Sequence, residues 1–235
     1  MKNYLISVWF LLSFFSFSQV QENLLMERFN MNAFNPAFVG TEGREVAFTS
    51  RSTWIGVADA PTTNYFFYSG GRKKNLSLGA SIISNQIYID TRTQYALDAS
   101  YQLEMGGGTN LYLGVKAGAT SKKTDIEELE RITQTANPAI STNGNALFPV
   151  FGFGALLKGQ KFYLSASIPN FLNPIKFVKD DTFIGSEKPV TYLLAGTNIN
   201  TGAFGSKLKP FVSARLNPNG ENQMHLGGTF DYKNI

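Results

Sequence analysis

Few side chains in this sequence have the types needed for acid-base, metal or nucleophilic chemistry. The chain has one histidine, His225, and no cysteine. Without cysteine it can form no disulfide, no thiolate metal site and no cysteine nucleophile. His225 has no second histidine with which to hold a metal, and it lies on the polar face of a predicted strand. We therefore expect neither a metal centre nor a cofactor.

Paired carboxylates and glycine-rich motifs do not form a catalytic pattern either. The adjacent acids at 127–128 and 180–181 lie in polar loops, where they indicate a solvated surface more often than catalysis or calcium binding. The Gly152-Phe153-Gly154 run lacks the Lys-Ser/Thr of a phosphate loop and indicates a close backbone approach within a strand. The chain has no GxSxG motif. We expect a protein that is not an enzyme; a hydrolase is the alternative, for which the sequence offers no nucleophile and base.

The residues between Arg51 and Pro61 favour binding over catalysis. Trp54 is followed by Gly56 and then by Pro61. A bulky ring near the end of a strand, followed by glycine and proline, predicts a shaped loop. Arg51, Trp54, Gly56 and Pro61 are therefore candidate binding residues. An alternative role for the tryptophan is structural, either closing a pore mouth or lying at a lipid boundary.

The elements that must position these residues are strands, of which 94–104 is the clearest. Side chains alternate across a strand with a period of two. Here the odd-numbered positions are apolar and, apart from Ala96, the even-numbered positions are polar. A run of about ten residues is long enough for a tilted strand to cross a hydrocarbon layer, whereas strands of soluble proteins usually have about five or six.

The same pattern recurs along the chain and predicts about ten strands. They cover 45–53, 63–69, 76–86, 92–104, 110–120, 148–158, 161–168, 190–200, 208–216 and 223–232. Short connections at 70–75, 105–109 and 159–160 suit antiparallel hairpins, whereas 121–146 and 170–189 are long and polar. Short turns at one end and long loops at the other are typical of outer-membrane barrels.

Composition favours a membrane location for these strands. The chain is 43% hydrophobic and only 16% charged, against about 25% charged in soluble domains. No internal segment approaches the ~20 apolar residues of a membrane helix, so strands must do the crossing. In this setting Arg51 must face a lumen or a rim, because a charge toward lipid would cost ~2–4 kcal/mol at mid-depth.

The predicted fold class is all-β, an antiparallel transmembrane β-barrel in the cell outer membrane. A soluble β-sandwich is the alternative, since its inward faces also alternate. Outer-membrane lipid is the expected surrounding. The net charge of +4 is too small and too dispersed to indicate a nucleic-acid partner.

The sequence divides into three parts. Residues 1–18 have a cationic start, an apolar run and the ending Ser16-Phe17-Ser18, which predicts a cleaved secretory signal peptide; an uncleaved membrane anchor is the alternative. Residues 19–44 are irregular, with a break at Asn35-Pro36, and we expect them inside or under the barrel. We expect residues 45–235 to form the outer-membrane barrel.

A resemblance to a known family rests on particular residues. Its carriers are Asn35-Pro36-Ala37-Phe38-Val39-Gly40, Arg51, Trp54-Ile55-Gly56 and Ala60-Pro61-Thr62. Together they resemble the amino-terminal signature of the PorP/SprF family of Bacteroidota outer-membrane proteins. Weaker similarities follow at Leu78-Gly79 with Asn85-Gln86-Ile87, at 162–170 and at Lys209-Pro210-Phe211 with Arg215. Asn35 and Pro36, at the head of the signature, complete the candidate binding residues.

The resemblance implies a barrel of about fourteen strands associated with the type IX secretion system, which serves export and gliding motility. Only about ten strands are predicted here, so we expect a barrel that is incomplete at its carboxyl end or an atypically short member. The expected function is to bind an exported surface protein or adhesin, or another component of the machinery. A passive porin or small-solute transporter is the alternative.

Overall fold

The computed structural model describes residues 30–54, 56–57, 59–125, 145–172, 188–200, 206–218, 220 and 222–232. Within these residues the protein is one antiparallel sheet with almost no helix. A short α-helix, α1 (Met31–Phe34), and a 3-10 helix (Pro36–Phe38) precede the first strand. None of the described helices has the length and apolar character needed to span a membrane. The predicted signal peptide lies outside the described residues.

Eleven strands make up the sheet. Their bounds are β1 (Glu45–Ser52), β2 (Thr62–Ser69), β3 (Leu76–Ile87), β4 (Asp90–Gly106), β5 (Thr109–Thr124), β6 (Asn145–Lys158), β7 (Phe162–Ile168), β8 (Thr191–Thr197), β9 (Ile199–Asn200), β10 (Lys207–Leu216) and β11 (Gln223–Asp231). Neighbours in the chain pair from β1 to β8, β10 follows β8, and the short β9 pairs with β10. Within the described residues β1 and β11 each pair on one side, so the sheet is open. The predicted barrel is thus matched in strand order and direction but not in closure.

Every predicted strand is present, and the differences lie at strand ends. The run predicted at 190–200 is divided into β8 and β9 at Asn198, whose amide donates to the Lys161 carbonyl at 2.6 Å. The long loop predicted at 121–146 begins later, because residues 121–124 continue β5 in register with β4. These residues are polar, so the apolar alternation stops before the hydrogen-bonded ladder does.

The two faces of the sheet invert the pattern of a soluble protein. Apolar positions of β4 and β5 point outward, where Leu97 is 69% exposed and Val115 is 61% exposed. Polar positions are buried, with Asp98 at 3%, Ser100 at 0% and Lys116 at 1% exposure. An apolar face of this kind would be unfavourable in water, so the arrangement fits a sheet whose outer face lies in hydrocarbon. The described strands form one sheet, which excludes the two packed sheets of a β-sandwich among them.

The sheet curls around residues 30–44, which we term the inner segment. Helix α1 contacts strands that are far apart in the order of the sheet. Ala33 forms a buried cluster with Tyr65 and Phe67 of β2, and the Phe34 ring centre lies 5.0 Å from that of Tyr192 in β8. Adjacent residues of one short helix can meet strands so far apart in the sheet order only if the sheet is strongly curved. The polar face is therefore concave and the apolar face is convex.

Replacing an outward apolar residue by a cation tests this orientation. We expect Leu97→Lys to lower the free energy of folding into lipid vesicles by about 2–4 kcal/mol, because the charge would face hydrocarbon near the middle of β4. Urea titration of the inserted protein, read by its heat-modifiable electrophoretic mobility, measures the loss. Leu97→Ala is the matched control and should lose less. Equal stability of the two variants would show that this face lies in water.

Candidate functional site

The inner segment occupies the polar face of the sheet, and its own sequence shapes it. Asn35 is extended, with φ −137° and ψ 111°, as expected for a residue that precedes proline. Its Oδ1 accepts a hydrogen bond from the Ala37 amide at 2.8 Å, which caps the 3-10 helix that Pro36 begins. The Asn-Pro pair thus ends α1 and starts a second, tighter turn.

Asn35 also fastens the inner segment to the sheet. Its Nδ2 donates to the Ser165 hydroxyl at 2.8 Å and to the Ala155 carbonyl at 3.1 Å. Asn35 is 2% exposed, so leaving these polar groups unpaired would be unfavourable. One side chain therefore joins the 3-10 helix to β6 and β7.

A row of small residues crosses the sheet beneath the 3-10 helix. Successive strand pairings from β3 to β7 align Ser77, Ser100, Gly114, Gly154 and Ser167. We term these five the small-residue row. A Cβ atom on Gly114 would lie 2.1 Å from the Ala37 nitrogen, and one on Gly154 would lie 2.0 Å from Asn35 Oδ1. The inner segment can approach the sheet this closely because neither position has a side chain.

The connections β2–β3, β4–β5 and β6–β7 lie at one end of the sheet, which we term the short-turn end. Hydrogen bonds hold the rest of the inner segment near this end. The Ser100 hydroxyl donates to the Ala37 carbonyl at 3.0 Å. The Gly40 amide donates to the Ser69 hydroxyl at 2.7 Å. Strands β2 and β4 therefore each supply one hydroxyl to the backbone of the inner segment.

Arg72, in the turn between β2 and β3, completes the short-turn end. Its Nη2 donates to the Val39 carbonyl at 3.0 Å, and its Nη1 donates to the Asn75 and Ser100 carbonyls at 2.9 and 3.2 Å. The guanidinium lies 4.9 Å from the centre of the Tyr112 ring. Burial lowers the pKa of Arg72 below its ordinary value, but the guanidinium stays protonated at neutral pH. One cation therefore serves the inner segment, the turn and β4 together.

A buried ion pair lies on the same face, one row nearer the middle of the strands. Lys116 Nζ is 3.1 Å from Asp98 Oδ1, and the two side chains are 0% and 1% exposed. They lie directly opposite each other on β5 and β4, and the Ser81 hydroxyl donates to Asp98 Oδ2 at 3.4 Å. A buried charge is tolerated only with a partner this close, because desolvation is so unfavourable.

The predicted binding residues fall into two groups rather than one site. Asn35 and Pro36 are buried in the inner segment, whereas the other four lie at the opposite end of the sheet. Trp54 is 62% exposed and has φ +59°. The Thr53 amide donates to the Pro61 carbonyl at 2.9 Å, which closes the loop between β1 and β2.

The other two predicted binding residues, Gly56 and Arg51, also lie at or near this loop. We term this end of the sheet the long-loop end. Gly56 has φ +93° and is exposed, so the loop turns there in a conformation that favours glycine. Arg51 lies on the same face of β1 as Thr49, which accepts a hydrogen bond from the Asn30 side-chain amide of the inner segment at 3.0 Å. Arg51 therefore belongs to the polar, concave face.

Sequence reasoning missed Arg72 and the Asp98–Lys116 pair. The available signal for the pair was a charge at a polar position in each of two adjacent alternating runs, where a lone buried charge would be unfavourable. Arg72 carried no such signal, because charges are ordinary in turns. The close approach expected near Gly154 is present, and Asn35 is the group that approaches.

The acidic and histidine side chains are dispersed in the described part of the chain. No three histidine, aspartate or glutamate side chains come together as metal ligands in this part of the chain. A pocket of about 410 Å³ at the long-loop end is lined mostly by polar residues, of which Gln86, Thr91 and Lys123 lie at convex-side positions of β3, β4 and β5.

Comparison with known proteins gives one match. A family model for the type IX secretion system membrane protein PorP/SprF matches residues 17–235. The matched region contains the inner segment and every strand of the sheet. No curated protein and no solved structure matches the chain.

Adding a methyl group to the small-residue row should release the inner segment. In Gly114→Ala the new carbon would overlap the Ala37 backbone, which cannot move aside as a flexible side chain could. Overpacking costs about 1–3 kcal/mol, so we expect hydrogen exchange of the amides in 30–44 to rise by about tenfold. Mass spectrometry on the folded protein in detergent measures the exchange. Gly228→Ala is the control, since its nearest atom is 3.6 Å away; equal exchange in both variants would contradict docking on this row.

Removing one partner of the buried ion pair should destabilise the protein more than removing both. We expect Lys116→Met to lower the free energy of unfolding by about 3–5 kcal/mol, because it leaves the Asp98 carboxylate buried and unpaired. The double variant Lys116→Met, Asp98→Leu should recover most of this loss. Urea midpoints of the vesicle-inserted proteins report the difference. A double variant as unstable as the single one would mean that the pair itself supplies the stability.

Proposed function

Because the chain belongs to the PorP/SprF family of type IX secretion system membrane proteins, we propose that it is an outer-membrane barrel component that binds an exported surface protein or another part of that machinery. The family is a membrane component of a secretion system and is not known as an enzyme. The proposed role is therefore recognition of a protein partner, in a barrel surrounded by outer-membrane lipid.

Two features support the outer membrane as the location. The convex face exposes large apolar side chains along many strands, among them Val46, Phe48, Leu78, Leu97, Val115, Leu164 and Leu226. A hydrocarbon layer would shield these apolar side chains from water. The signal peptide predicted at residues 1–18 supports export across the inner membrane.

The observation that carries the proposal is the occupied concave face. In an open pore the small-residue row and the Asp98–Lys116 pair would line a water-filled lumen. Here the inner segment packs on that row, and Ser100 and Lys116 are 0% and 1% exposed. A face closed by the chain's own backbone supports a barrel that holds a partner rather than one that conducts solutes.

Recognition is assigned to the long-loop end. In outer-membrane barrels short turns face the periplasm and longer loops face the exterior, which supports a periplasmic position for the inner segment. Trp54 is 62% exposed in the constrained loop between β1 and β2. Exposed tryptophan and arginine side chains often supply most of the binding energy of a protein interface, and Arg51 lies just before this loop.

Deleting the gene and restoring it with variants tests the role. We expect deletion to remove at least one exported protein from the cell surface, and the wild-type gene to restore it. Trp54→Ala should restore it less well and should recover less partner from detergent-solubilised outer membrane, by about tenfold if the ring is an interface anchor. Surface proteolysis followed by mass spectrometry measures the first effect, and co-purification measures the second.

The matched control is Phe48→Ala, which also truncates an exposed aromatic residue, but on the convex face of β1. It should restore surface display as the wild type does. An unchanged set of surface proteins after deletion, together with steady single-channel conductance in planar bilayers, would contradict the proposal and indicate a porin.

A further inference from the structure

A second row of residues crosses the concave face at the long-loop end. Successive pairings from β1 to β5 align Arg51, Thr63, Asn85, Arg92 and Lys122. We term these five the basic row. Its members carry three positive charges, one amide and one hydroxyl, and no carboxylate.

The basic row faces the interior and not the lipid. Arg92 shares its face of β4 with the buried Asp98, and Lys122 shares its face of β5 with the buried Lys116. Leu97, on the opposite face of β4, is 69% exposed on the convex surface. The phosphate groups of surrounding lipids lie outside the convex surface, so they are not the natural partners of this row.

The row is also separate from the site that holds the inner segment. Lys122 lies eight residues beyond Gly114 along β5, which is about 26 Å at the usual rise of a strand. The small-residue row serves the inner segment near the short-turn end, whereas the basic row lies near the mouth at the long-loop end.

The basic row brings two of its cations directly together. Arg92 and Lys122 lie directly opposite each other, and like charges in that position repel. Arg92 also makes a contact within the chain, and Asp90, one row further out, accepts a hydrogen bond from the Thr124 hydroxyl. Lys116 has the Asp98 carboxylate directly opposite it on β4, whereas Lys122 has the Arg92 guanidinium there.

The spacing of the charges selects a linear anion. Arg51 and Arg92 are three strands apart in the sheet, or about 14 Å at the usual strand separation. The three cations are therefore spread across the strands from β1 to β5, and not gathered at one point. Extended polypeptide covers the same distance in about four residues, so an acidic peptide can meet the cations with successive side chains while Thr63 and Asn85 offer hydrogen bonds between them.

We propose that the basic row binds an aspartate- and glutamate-rich segment of the partner protein at the outer mouth of the barrel. The inference rests on the proposed function, since it names the chemistry of the partner that the long-loop end recognises. Charge complementarity of this kind accelerates association and fixes the orientation of the partner. It also makes binding weaken as salt is added.

Adjacent lysines on opposite faces provide a matched test. Full-length protein in detergent is titrated with a fluorescent oligoglutamate of about ten residues, which is long enough to span the row. We expect Lys122→Gln to weaken binding by about threefold or more and to reduce its dependence on salt. Lys123→Gln removes the same charge from an exposed position on the convex-side face and should change the affinity by less than about twofold. Heat-modifiable mobility confirms that both variants fold.

Several outcomes would overturn the inference. They are equal effects of the two substitutions, equal binding of an oligoglutamine peptide, and full competition by inorganic phosphate at low concentration, which would indicate a small-anion site. The same variants in cells separate this inference from the proposed function. Loss of surface proteins on gene deletion but not with Lys122→Gln would contradict the acidic partner alone. Oligoglutamate binding that depends on Lys122 in a protein whose deletion leaves the surface proteins unchanged would contradict the secretion role alone.

Discussion

The rest of this structure depends on pairing the buried polar groups of the concave face. The strands turn their apolar side chains outward, so their polar side chains face inward, where each unpaired group is unfavourable. The protein pairs these groups with other groups of the same chain. Asp98 opposes Lys116, Ser100 donates to the inner segment, and Asn35 uses both ends of its side-chain amide. Few of these contacts would be needed if the concave face were open to water.

The inner segment follows from this constraint and adds a second one. It supplies backbone carbonyls and amides to the sheet, but it can do so only where the sheet offers no bulk, which is the small-residue row. Occupying the short-turn end leaves the long-loop end, with Trp54 and the basic row, as the surface available to a partner. In the role proposed above, the part of the concave face that the inner segment fills would be separate, along the strands, from the part that recognises a partner.

The strands were predictable from sequence because alternation is a local property, and every predicted run became a strand. Strand ends were less predictable, since hydrogen bonding continues through polar residues 121–124 and is interrupted at Asn198 within the run predicted at 190–200. The face on which Arg51 lies also follows from alternation. The basic row to which Arg51 belongs could not be predicted from alternation, because strand register pairs residues that are far apart in the chain, such as Arg92 and Lys122. For the same reason Asn35 was recognisable as a break before proline, but its bond to Ser165 was not.

The outward orientation of the apolar face can be measured directly, because the chain has no cysteine and single cysteines can be labelled cleanly. Leu97→Cys and Gln94→Cys place a fluorophore on opposite faces of β4, in protein reconstituted into vesicles that contain brominated lipid. Strong quenching at position 97 and little at position 94 is the result predicted for a sheet with hydrocarbon on its convex side and protein on its concave side. Equal quenching at both positions, or none at either, would contradict it.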